Sequence, residues 1–199
     1  MRLLCPLLLL AAALVSTCPA RAQVLNTLAG DGSTTGTSGL YCGDGGPAIF
    51  SCLFDPWDVV PDGAGNIYIA DDGNNHIRKI NTAGIISTIA GVPGAPLGDG
   101  GPATAANINP EGMCFHAGNL YVVDGASNRI RKIDALGIIT TIAGGGVSGP
   151  IGDGGPATDI VLQGVAGIAV DVAGNIYIAH NNTHRIRKID TSGIITTVA

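Results

Sequence analysis

Asn66-Ile67-Tyr68-Ile69-Ala70, then Asp71-Asp72-Gly73-Asn74-Asn75, then His76-Ile77-Arg78-Lys79-Ile80 is the stretch that decides the fold. Two runs rich in β-branched and aromatic residues flank a separator of Gly, Asn and Asp, the residues a tight hairpin needs for positive φ. Both alternating sets in the first run are apolar, Ile67 and Ile69 on one side and Tyr68 and Ala70 on the other. A strand apolar on both sides must be covered on both sides. Working outward, residues 57–61 precede it across Asp62-Gly63-Ala64-Gly65, and residues 85–90 follow across 81–84. The unit therefore reads as a four-stranded meander, and no apolar stripe recurs at the helical period.

The unit occurs three times. Its Tyr strand returns as Asn119-Leu120-Tyr121-Val122-Val123 and Asn175-Ile176-Tyr177-Ile178-Ala179. Its basic strand returns as Arg129-Ile130-Arg131-Lys132-Ile133 and Arg185-Ile186-Arg187-Lys188-Ile189, followed each time by Gly-Ile-Ile-x-Thr. A linker, Gly-Asp-Gly-Gly-Pro-Ala, starts at Gly43, Gly98 and Gly152. A four-stranded meander repeated in tandem is the unit of a β-propeller blade, and such units bury their faces only by stacking.

The pattern P-x-G-h-A-V-D-x-x-G-N-I-Y-I-A-D-x-x-N-x-R-I-R-K-I, ending in G-I-I-T-T-I-A-G, resembles the NHL repeat. The linker is similar to that of secreted bacterial NHL proteins and of the NHL region of teneurins. The resemblance implies an all-β fold, a β-propeller of NHL type. Three four-stranded blades are expected at about 31–91, 92–144 and 145–199, within a domain covering 23–199. Copy two departs at Glu111-Gly112-Met113-Cys114-Phe115, and copy three has His180 where the others have Asp71 and Asp124.

Closed propellers hold roughly four to eight blades, and the resemblance implies about six. Three make a partial propeller, and residues 24–30 read as an extra N-terminal strand belonging to another blade. The expectation is a chain cut short after Ala199, with self-association of two chains through their open end blades as the runner-up.

The chain opens with Arg2, an apolar run from Leu3 to Val15 and Ala20-Arg21-Ala22, the layout of a secretory signal peptide over 1–22. No other segment is apolar for long enough to span a bilayer. A lipid attachment at Cys18 is the weaker alternative, because Thr17 fits poorly before it. The mature chain is expected to be secreted or extracytoplasmic. Losing Arg2 and Arg21 leaves eight basic against fifteen acidic residues, a net charge near −7 that argues against nucleic-acid binding. The chain has 31 Gly, yet a hydrophobic fraction of 46% argues against disorder and assigns the glycines to turns.

Cys42 and Cys52 are spaced to close a short disulfide loop in an oxidising compartment, which leaves Cys114 as a buried apolar residue in a strand. All eight basic residues of the mature chain fall in the basic strands. Structural pairing with Asp71, Asp124 and the linker aspartates is preferred over a charged binding rim, since no aromatic residues interleave with them. Asp44, Asp99 and Asp153 read as turn residues of the linkers, because one carboxylate per loop is too few for calcium. His180 and His184 lie across a hairpin, and His76 and His116 lie elsewhere, which does not make a zinc site.

Asn181-Asn182-Thr183 makes Asn181 an N-glycosylation acceptor in a eukaryotic host. The metal-binding His set of peptide-amidating lyases and the Glu–Asn–Asp set of gluconolactonase-like propellers are not reproduced, Glu111 being the only Glu. No nucleophile elbow is present. No catalytic residue, metal ligand or cofactor is assigned. The expectation is a noncatalytic scaffold that binds a protein or glycan. Its alternative is a piece of a metal-dependent propeller hydrolase or lyase whose catalytic residues lie in further blades.

Overall fold

The computed structural model describes residues 26–32, 42–146 and 152–199. The leader over 1–22 lies outside them. Three antiparallel sheets follow one another along the chain. The first is β1 (Pro56–Pro61), β2 (Ile67–Asp71), β3 (His76–Ile80) and β4 (Ile86–Ala90). The second is β5 (Pro110–His116), β6 (Asn119–Asp124), β7 (Arg129–Ile133) and β8 (Ile139–Gly144). The third is β10 (Val165–Val170), β11 (Ile176–His180), β12 (Arg185–Ile189) and β13 (Ile194–Thr197), with the two-residue β9 (Gly155–Pro156) added outside β13. Each is a meander, as the repeat requires.

The hairpins are set by short-range chemistry. The Asp62 carboxylate accepts hydrogen bonds from the amides of Ala64 and Asn66, and Asn81, Asp134, Asp171 and Asp190 do the same for the residues two and four further on. Such side-chain closure of a turn is why Asx residues recur there. The β2–β3, β6–β7 and β11–β12 turns each end on a left-handed residue, Asn75, Asn128 and His184, at φ 57°, 54° and 54°.

The sheets stack face to face. The first strand of the middle sheet, β5, lies against both β1 and β10, and the Met113 amide donates to Asp58 across the first interface at 2.7 Å. β6 shows how a two-faced strand is used. Leu120 and Val122 belong to the core shared with the first sheet, and Val123 to the core shared with the third. Ile77, Ile86, Ile130, Ile139, Ile178 and Ile195 are wholly buried in these layers, each worth about 1.5–3 kcal/mol over an exposed side chain.

Residues 26–30 are a correction, since they form no strand. Among the described residues no strand lies beside them to complete a ladder; residues 24–25 of the expected strand lie outside the described residues. They hold instead to the first linker, the Gly30 amide donating to Ala48 O and that of Asp31 to Ser51 O. Gly91 and Val92, which follow β4, bond Ala103 O and Ala106 O of the next linker in the same way. Residues 26–30 thus occupy the place of a preceding fourth strand without its pairing.

Gly144 closes β8 at φ +80°, and a Cβ there would lie 2.3 Å from Asn128 O, whereas Gly137, at φ +77°, has open space around it. Gly137→Ala is expected to cost about 1–2 kcal/mol from the left-handed backbone alone. Gly144→Ala must cost distinctly more in urea unfolding, and equal losses would sink this account of the close approach.

Candidate functional site: the linker loops and the buried arginines

Each sheet buries one arginine completely: Arg78, Arg131 and Arg187 all have 0% exposure. They hold equivalent positions, opposite Ile69, Val122 and Ile178 of the neighbouring strand. A guanidinium cannot be left in such a place without acceptors. Arg78 reaches Asp44 at 2.6 Å through Nη2 and Asp71 at 3.4 Å through Nη1. Arg131 reaches Asp99 at 2.9 Å and Asp124 at 3.3 Å in the same arrangement. Arg187 reaches Asp153 at 3.0 Å. Linker carbonyls add to each fork, Cys42 O at 3.1 Å, Leu97 O at 2.7 Å and Gly152 O at 3.2 Å.

The linker aspartates, expected both to stabilise their turns and to pair with the basic strands, thus reach across the chain to the arginine of their own sheet. Each also ties the outer strand: Asp44 accepts from the Thr88 amide, Asp99 from the Thr141 hydroxyl and Asp153 from the Thr197 hydroxyl. Burial works to raise the Asp44 carboxyl, but the hydrogen bonds from Arg78 and Thr88 outweigh it and leave the group below its ordinary value. The Asp153 balance has the same sign, with the Thr197 and Arg187 bonds outweighing desolvation.

The third sheet departs from this pattern. His180 stands where Asp71 and Asp124 stand, and its Nε2 donates to Gln163 O at 2.8 Å. Among the described residues, Arg187 Nη1 and His180 Nδ1 are buried without a hydrogen-bond partner. Burial, followed by the nearby Arg187 and Arg185 charges, pushes the His180 imidazole below its ordinary value against the opposing Gln163 bond.

Cys42 and Cys52 are joined as a disulfide with Cα atoms 5.1 Å apart. The bridge belongs to the first linker, whose Cys42 carbonyl holds Arg78. Cys114 is a half-buried free thiol. Asn181 is exposed at the start of the Asn181–Thr183 turn. His184 is exposed while His180 is buried, so this pair does not converge.

Two acidic residues that the sequence reading left unlinked come together between sheets one and two. Asp72 accepts from the Asn109 amide group, and burial raises its carboxyl with Asp55 and Asp71 nearby. Glu111 is raised by burial and by the charges of Asp72 and Asp124. The charge of Asp72 reaches Glu111 only because successive sheets stack, so no local pattern could have joined them. Among the described residues no group of three His, Cys, Asp or Glu is placed to hold a metal ion, and no helix is long and apolar enough to cross a membrane.

Stacked four-stranded sheets, each locked by its own linker, are blades of an NHL-type β-propeller. A family described as the teneurin NHL domain matches residues 19–97 and 146–199. The chain belongs to that family. Teneurin-3 of Danio rerio is 30% identical over 188 residues, covering 88% of this chain and 6% of that protein. NHL repeat-containing protein 2 of Gallus gallus is 37% identical over 108 residues, covering 53% and 15%. The chain thus spans a small part of these relatives. Among solved structures, a streptogramin B lyase superposes with a TM-score of 0.50 at 17% identity over 71% of this chain and 39% of that one. An auxiliary nutrient binding protein from Bacteroides ovatus gives 0.50 at 24% over 68% and 35%. At this distance they share the fold alone.

Removing Asp124 leaves Arg131 Nη1 without its carboxylate while Asp99 still holds Nη2, so Asp124→Ala is expected to lose about 1–3 kcal/mol in urea unfolding. His180→Asp should do the reverse and raise the urea midpoint at pH 7 by giving Arg187 its second carboxylate. The acid slope follows from the lowered His180 value: the unfolded chain binds the proton first, so this share of stability is full above about pH 6.5 and is lost as pH falls. His180→Asp should flatten the decline between pH 7 and 5. An unchanged slope would show that His180 does not govern it, leaving His76, which burial also lowers, as its source.

Proposed function

We propose that the chain is a noncatalytic, extracytoplasmic scaffold that binds a protein or glycan partner through the loop-bearing ends of its blades. The observation that carries this reading is the division of labour in the repeat. Three of the five arginines in the basic strands, Arg78, Arg131 and Arg187, are turned inward onto aspartates. The turns between the Tyr and basic strands differ in every copy, Asp72-Gly73-Asn74-Asn75, Gly125-Ala126-Ser127-Asn128 and Asn181-Asn182-Thr183-His184. A repeated rigid frame with dissimilar loops is how scaffolds present a recognition surface.

Export is supported by the Cys42–Cys52 disulfide, a bond that persists in oxidising compartments. The outer face of the first blade exposes Trp57 at 63% and Val59 at 58%, a surface that suits self-association with another blade.

The test has two parts, run on the secreted chain. Its metal content by plasma mass spectrometry should be substoichiometric, and a tightly held equimolar zinc or calcium ion would overturn the noncatalytic reading in favour of a metal-dependent hydrolase or lyase. On an array of glycans and extracellular proteins, exchanging loop 181–184 for the sequence of 72–75, which removes no glycine and puts Asn at the left-handed position of His184, should change the binding pattern while preserving the unfolding midpoint. A pattern indifferent to the loops would count equally against it.

A further inference from the structure

The two interfaces between successive blades are built from equivalent residues, so a difference between them isolates one variable. In the first, Phe115 near the end of β5 faces Leu120 and stacks on Tyr68, with ring centroids 5.3 Å apart and planes inclined by 20°. Lys79 Nζ lies 5.5 Å from the centre of the same Tyr68 ring. In the second interface the register places Val170, opposite Ile176, where Phe115 stands. Tyr121 takes the place of Tyr68 and Lys132 that of Lys79. The tyrosine and the lysine are kept and the ring that covers them is gone.

The consequence is a cavity. The groove containing Phe115 has about 160 Å³ of free space, whereas the one beside Tyr121 has about 390 Å³ and opens to solvent. Tyr121, Ile142, Ile176 and Ile189 wall it, and His116 and Lys132 also line it. The Tyr121 hydroxyl is raised by burial and then by neighbouring Cys114, which fits a ring set into an apolar wall.

We propose that this cavity between the second and third blades is a pocket for one aromatic side chain of a partner polypeptide, seated on Tyr121 as Phe115 is seated on Tyr68. The occupant is identified by the protein's own filled copy of the site. An offset or inclined aromatic pair gains on top of the area it buries, which an aliphatic side chain of equal volume does not. The equivalent of Lys79 stands ready to flank the ring, as a cation does favourably. The proposal deepens the scaffold reading and rests on its partner being a polypeptide.

The test uses the secreted chain labelled for NMR and N-acetyl-L-phenylalaninamide as probe, with N-acetyl-L-leucinamide and methyl glucoside as comparators. The phenylalanine probe should give saturable shifts around Tyr121 and Val170, and bind about fivefold more tightly than the leucine probe. Val170→Phe, which supplies the ring from within, should abolish those shifts. Phe115→Val should create a second responding set around Tyr68, and it preserves the test if Val170→Phe fails to fold. Equal binding by wild type and Val170→Phe, no saturable shift in the folded wild type, or a preference for methyl glucoside would each overturn the pocket. Should that happen while loop exchange still alters array binding, the pocket falls and the scaffold reading stands; indifference to the loops would remove the scaffold reading instead.

Discussion

A guanidinium with no access to water must find acceptors, and each blade of this protein is arranged to bring them to its Nη groups. The arginine is delivered by the third strand, one carboxylate by the end of the second, and another carboxylate with a backbone carbonyl by the linker that precedes the blade. The linker must therefore double back along the outer strand, which it does through the bridges of Pro47 to Ile85 and Pro102 to Ile138 and through β9 on β13. An apolar residue in place of the arginine could match or exceed the stability of such a pair. What the charge adds is a demand that only one docking of the linker meets.

Seen this way, the glycines of the linker motif and its aspartate have separate tasks. Gly43 lies so close to Ser51 that a Cβ would come within 2.9 Å of the Ser51 Cα, and Gly98 would come within 2.8 Å of the Ala106 Cβ. These positions let the loop fold flat against the turn that follows it. The aspartate then points at the arginine from a backbone already in place, so the entropy of ordering the loop is shared between packing and pairing.

Much of this was legible in the sequence. The two-sided apolarity of Tyr68 and its neighbours required stacked sheets, and residues 57–61, 66–70, 76–80 and 85–90 read as strands within a residue or two of β1 to β4. The repeat carried that reading through all three copies. Less legible were relations that exist only once the chain has returned on itself. Pairing of the basic strands with the linker aspartates was legible, but not that Asp44 would meet Arg78, 34 residues away, and Asp58 gave no sign that it would accept the amide of Met113 in the next blade. Residues 26–30 carry the composition of a strand but, among the described residues, find no neighbour to pair with, since a ladder is a property of two segments and composition belongs to one.

The departures from the repeat are as informative as the repeat. His180 stands in the third copy where the others have a latch aspartate, whereas at the position of Phe115 it is the second copy that departs, the first having Pro61 and the third keeping the repeat's valine as Val170. In an array whose blades share one frame, such differences change a local contribution to stability: at 180 the third copy lacks a second acceptor for Arg187, and at 170 it lacks the ring that Phe115 adds to the first interface. Neither loss is made good by another residue of the described chain, since Arg187 Nη1 stays unpartnered and the groove beside Tyr121 stays open. An array tolerates such losses because stacking on its neighbour still holds the altered blade, and Ile176, Ile178 and Ile189 remain buried in the core it shares with the second. The repeated latch is thus what frees single positions of one blade to diverge, and a groove filled by a ring in one interface and open in the next, with its tyrosine and lysine retained, is where recognition can be added without altering the frame.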